Sequence, residues 1–123
     1  MIETLLLAAA AQAANASALI EPARARANLA SYVAIDDYPV SALQAGEQGT
    51  VRFRLNVGSD GRVTGCQVTG SSGSAALDET TCRIMRSRAR FTPARDRNGH
   101  PAADVVNSSI TWRGVRTAPP PTP

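Results

Sequence analysis

From Gly49 to Val57 the chain alternates without a break. Val51, Phe53, Leu55 and Val57 fall on one side, and Thr50, Arg52, Arg54 and Asn56 on the other. A period of two marks a strand with one buried and one wet face. Gly58-Ser59-Asp60-Gly61 follows, and Asp-Gly between two alternating runs predicts a hairpin. The return strand carries Val63, Cys66 and Val68, whose parity breaks beside Gly65. A bulge there would bring all three to the inner face. A lone hairpin is not stable in water, so that face needs a cover. The loop Ser71-Ser72-Gly73-Ser74 leads into it: a helix from about Ala75 to Ala89. Leu77 or Asp78, Cys82, Met85 and Ala89 share one helical face, with Arg83, Arg86 and Arg90 opposite.

Weaker patterns flank this unit. Ser31 to Asp37 reads as a short extended piece. Tyr38-Pro39 opens a helical turn with Pro39 at its first position, Val40, Leu43 and Ala42 inward, and Gly46 as its C-terminal cap. After the long helix, turns are expected at Thr92-Pro93 and at Asp96 to Gly99. Val105 to Trp112 then reads as a third strand with Val106, Ser108, Ile110 and Trp112 on one face. The expected fold is α+β: a three-stranded antiparallel sheet, one long helix packed on one face, and a short helix before it. Residues 1–18, with the apolar run Leu5 to Ala11 and small-x-small sites near Ala16, read as a signal peptide. That run is far short of the ~20 apolar residues of a spanning helix. Residues 19–31 read as a linker, 32–115 as the folded domain, and 116–123 as a disordered Pro-rich tail.

Composition adds limits. The chain has 123 residues, room for one small domain, and only 4% aromatic residues, so its core is small and aliphatic. All 13 basic residues are Arg and the net charge is +3. The Arg stripe of the helix is either a solvated face or a contact for an acidic partner. No aromatic platform accompanies it, which argues against nucleic acid. No catalytic constellation is visible, and the one histidine, His100, sits in a turn with no metal-spaced neighbours. An enzyme, a metal site and a cofactor are therefore not expected.

Taken together, several stretches resemble the C-terminal domain of TonB-family energy transducers. They are Tyr38-Pro39, Gly46-x-x-Gly49-Thr50-Val51, Asp60-Gly61-Arg62-Val63, Ser71-Ser72-Gly73, Leu77-Asp78-Glu79 and Arg90-Phe91-Thr92-Pro93-Ala94. Their order and spacing carry the resemblance from about Tyr32 to Arg113. It implies the same α+β fold and a periplasmic module that binds the TonB-box peptide of an outer-membrane transporter. Full-length transducers begin with a membrane-spanning helix that touches a proton-driven motor, then cross the periplasm on a long Pro-rich spacer. Here the leader is too short to span, and about a dozen linker residues cannot cross a periplasm. The resemblance therefore supports the binding module rather than coupling to the inner-membrane motor.

The expected contact surface is backbone. A third strand at the sheet edge offers unpaired N–H and C=O groups to an extended peptide. Val105, Val106, Asn107, Ser108, Ser109, Ile110 and Thr111 form that candidate site, with Asp37, Tyr38 and Pro39 as further contact candidates. The alternatives are an edge closed by homodimerisation and an envelope interaction protein of the same fold with a different partner. Cys66 and Cys82, the two cysteines, point at one interface between sheet and helix. Export to an oxidising compartment predicts a disulfide between them; two buried free thiols are the alternative.

Overall fold

A computed structural model describes residues 19–113. Its strands are β1 (Leu19–Glu21), β2 (Arg24–Ala25), β3 (Gly49–Val57), β4 (Val63–Gly70), β5 (Phe91–Thr92), β6 (Ala94–Asp96), β7 (Pro101–Ala102) and β8 (Asp104–Trp112). Helix α1 spans Val40–Gln44 and α2 spans Ala75–Arg88. The leader and tail read at residues 1–18 and 116–123 lie outside the described residues.

The main sheet is antiparallel in the order β4-β3-β8. The alternation of β3 puts it at the centre. Val51, Phe53, Leu55 and Val57 are buried, while Arg52, Arg54 and Asn56 stay in water. Leu77, Ile84 and Met85 of α2 complete the core with Phe91, Ile110 and Trp112. Full burial of Phe53 or Leu55 contributes about 1.5–3 kcal/mol each.

The hairpin closes through Gly58 N–H to the Arg62 carbonyl at 2.8 Å and Gly61 N–H to the Gly58 carbonyl at 2.9 Å. Gly61 has φ +85°, and a Cβ there would lie 2.1 Å from the Phe91 carbonyl oxygen, so only glycine fits. Pairing then slips by one residue between Asn56↔Gly65 and Val57↔Val63, the bulge expected beside Gly65. Val63, Cys66 and Val68 consequently stand opposite Val57, Leu55 and Phe53, but of the three only Val63 is buried: Cys66 is half-buried, and Val68, on an edge strand, is exposed. Ser74 caps α2, its Oγ accepting from Leu77 N–H at 3.2 Å and donating to Glu47 Oε1 at 2.6 Å. Cys66 and Cys82 are joined as a disulfide with Cα atoms 5.5 Å apart.

Several local expectations are corrected. Residues 19–31 are not a bare linker: β1 pairs with β6 and β2 with β5. Asn28 caps a 3-10 turn at Leu29–Tyr32 that buries Leu29. The piece expected to be extended at Ser31 to Asp37 instead holds this turn and another at Ile35–Asp37. In α1, Ala42 faces inward alone, while Val40 and Leu43 are exposed. The methyl of Ala42 lets a five-residue helix approach the core more closely than a larger side chain would allow. Pro39 is the N-cap of α1 rather than its first helical residue. Arg90 lies beyond α2, where its N–H meets Tyr32 Oη at 3.3 Å, so it is not part of the helical stripe.

Candidate functional site

Strand β8 pairs on one side only, with β3, and no strand lies on its other side among the described residues. In an antiparallel strand the N–H and C=O of one residue point the same way, and successive residues alternate. Gly58 directs its N–H toward the return strand, so Val57, Leu55, Phe53 and Val51 direct theirs toward β8. Their register partners Asp104, Val106, Ser108 and Ile110 answer them. Val105, Asn107, Ser109 and Thr111 are left pointing at the open edge. The Val105 N–H agrees, because it bonds to Asp104 Oδ1 at 2.7 Å instead of to β3. The same carboxylate accepts from Ala23 N–H at 2.9 Å through Oδ2, which closes that end of the edge. The open stretch is Asn107 to Thr111.

The side chains of β8 divide accordingly. Asn107, Ser109 and Thr111 are exposed, Val106 and Ser108 half-buried, and Ile110 buried. Thr111 Oγ1 shares a hydrogen bond of 2.9 Å with Thr50 Oγ1 across the ladder. Trp112 ends the strand with its indole N–H donated to Thr81 Oγ1 at 2.8 Å, and Thr81 donates onward to the Leu77 carbonyl at 2.8 Å. This buried relay fixes the indole, whose ring meets Tyr38 edge-on at 5.2 Å between centroids. Tyr38 is held in turn by its hydroxyl, which donates to the Glu47 carbonyl.

Tyr38 and Trp112 form one end of a cleft of about 370 Å³ beside the C-terminal half of the edge. Val33 and Ile35 extend its wall, and Ile35 is 91% exposed. Sequence reasoning missed this wall. Its only signal was an apolar Ile35 ahead of two acidic residues. Of the further contact candidates, the structure brings Tyr38 to the edge. Asp37 is engaged elsewhere: Arg88 Nη1 and Nη2 grip its carboxylate at 2.6 and 2.9 Å, and Ala34 N–H donates to it at 2.6 Å. Those hydrogen bonds, the one from Arg88 foremost, hold the Asp37 carboxyl below its ordinary pKa. Pro39 sits at the start of α1. Among the described residues no three His, Cys, Asp or Glu side chains converge as a metal site. No helix there is long and apolar enough to cross a membrane.

Residues 36–113, more than half of the chain, match the family described as Gram-negative bacterial TonB protein C-terminal. Over 49 residues the sequence is 43% identical to Protein TonB of Pseudomonas putida, covering 40% of this chain and 20% of that protein. Over 59 residues it is 37% identical to Protein tonB2 of Pseudomonas aeruginosa, covering 48% of this chain and 22% of the relative. The chain thus matches about a fifth of the length of these curated relatives.

Proposed function

This chain belongs to the Gram-negative bacterial TonB C-terminal family, and we propose that it is a periplasmic binding module for TonB-dependent outer-membrane transport. It captures the TonB-box peptide of a transporter by adding it as a strand to β8. The family is one of energy-transducing and binding proteins and is not enzymatic. The observation that carries the reading is the open edge from Asn107 to Thr111, with the Tyr38–Trp112 cleft beside it. Backbone pairing supplies affinity there, and the cleft takes alternate side chains. Self-pairing of two β8 edges is the competing use of the same groups.

The test is Ser109→Pro. Its N–H points away from β3, so proline removes a donor to an added strand and leaves the internal ladder intact. Peptide affinity should fall about two- to tenfold, the worth of one net hydrogen bond, with an unchanged far-UV circular dichroism spectrum. Full affinity in a folded Ser109→Pro variant would place peptide capture somewhere other than this edge.

A further inference from the structure

The main sheet has a second surface, the face turned away from α2. On β3 it carries the exposed Arg52 and Arg54. Neither β3 nor β4 contains an acidic residue, and the one in β8, Asp104, has its carboxylate held by the Ala23 and Val105 N–H groups. At the hairpin end, three short segments extend this face. Arg62 is exposed between the buried Gly61 and Val63, so it points away from the core, and Arg90 likewise stands between the buried Ala89 and Phe91. The two form an antiparallel bridge beside the Phe91 N–H, which donates to the Gly61 carbonyl at 2.9 Å. On the other side of Arg90, the Arg26 N–H donates to the Arg90 carbonyl at 2.9 Å, continuing the register Arg24↔Thr92 and Ala25↔Phe91. Ala23 packs against the core, so Arg24 and Arg26 alternate outward. Opposite residues of an antiparallel pair share a face, with Cβ atoms about 4.5–5.5 Å apart. Arg26, Arg90 and Arg62 therefore stand in one row, with Arg24 beside it.

Like charges directly opposite one another destabilise a sheet, a cost that an anion laid over them removes. Within the row the ion pair among the described residues is the exposed contact of Arg62 with Asp60 at 3.9 Å. Arg90 uses only Nη1, which donates to the Ser87 and Ala89 carbonyls at 3.3 and 2.9 Å. A guanidinium meets phosphate oxygens with two parallel N–H bonds. The row has no apolar centre of the kind a protein partner buries, and no aromatic ring on which a base would stack. We propose that the sheet face turned away from α2, centred on Arg26, Arg90 and Arg62, docks on the phosphate headgroups of an anionic bilayer. The net charge of +3 draws the domain toward such a surface. Seated face-on, the domain keeps the backbone edge of β8 open at the rim of the contact. The contact does not depend on strand addition.

Vesicle co-sedimentation of the full chain tests this. One set of vesicles holds equal parts of phosphatidylglycerol and phosphatidylcholine, the other phosphatidylcholine alone, which measures any binding through the apolar leader. The wild type should partition to the anionic set far more strongly, and the difference should vanish at about 1 M salt. Each Arg near the surface is worth about fivefold, so Arg26→Gln with Arg62→Gln should lower anionic partitioning about twentyfold. Arg24→Gln with Arg26→Gln, on a different pair of positions, should lose as much. Melting temperatures check that each variant is folded. Arg83→Gln with Arg86→Gln removes the same charge from the exposed face of α2. That pair lies a layer away, beyond the Debye length of about 8 Å, and should bind nearly as the wild type does. Equal partitioning of the wild type to both vesicle sets would overturn the proposal. So would equal losses from the sheet pair and the helix pair, which would trace binding to overall charge rather than to this face.

Discussion

Thr81→Val tests the polar relay that fixes the end of β8. Thr and Val are close in volume, so the core stays filled and the change removes chiefly one hydroxyl. Thr81 is 0% exposed and Trp112 4%, so no water replaces the lost acceptor. The Leu77 carbonyl keeps a backbone partner within α2, leaving the Trp112 indole N–H as the one orphan. A buried unsatisfied donor costs about 1–3 kcal/mol. For a domain of this size total stability is about 5–14 kcal/mol, so the loss is a large fraction. The melting temperature should drop by about 4–8 °C per kcal/mol. Urea unfolding followed by circular dichroism measures it, with Trp112→Phe and the double variant closing a cycle. Because Trp112→Phe removes the donor itself, the second substitution should cost much less than the first. A Thr81→Val variant as stable as the wild type, or strictly additive effects, would refute the relay. The same variant should also weaken peptide binding, since the indole walls the cleft.

Two further outcomes follow from the scaffold. The Cys66–Cys82 bridge closes a loop of sequence separation 16, so its reduction should cost about 3 kcal/mol and lower the melting temperature by about 10 °C or more. Two free thiols counted in denatured, unreduced protein from the periplasm would refute it. The lowered pKa of Asp37 means that its pairing with Arg88 stabilises the fold above the ordinary value of 3.8 and is lost as pH falls through the depressed one. Asp37→Asn should therefore be less stable than the wild type at neutral pH and converge with it in acid; an equal gap at pH 7 and pH 2 would count against the pairing.

The hairpin and its helix were legible because each has a strong period with one wet face. Val51 to Val57 could be oriented from alternation alone, and the misfit at Gly65 located the bulge. The segments at 19–37 were not legible. Strands of two or three residues show no period, and β1 and β2 exist because β6 and β5, some 70 residues later, pair with them. Thr81 was overlooked because threonine reads as polar, and only its partner 31 residues away explains its burial. In α1, apolar character misled: Val40 and Leu43 looked like core, yet the contact is made by the smaller Ala42. For the site, the edge position of β8 followed from element order. The cleft did not, because Val33, Ile35 and Tyr38 reach it from irregular turns.

Strand addition makes its most direct prediction residue by residue, in amide hydrogen exchange along β8. In the free protein Val106, Ser108 and Ile110 should already be protected by β3, while Asn107, Ser109 and Thr111 exchange quickly. Saturating TonB-box peptide should slow Asn107, Ser109 and Thr111 by an order of magnitude or more and leave the other three unchanged. Contradiction would be bound peptide, shown by shifts elsewhere, with Asn107, Ser109 and Thr111 still exchanging at their free rates.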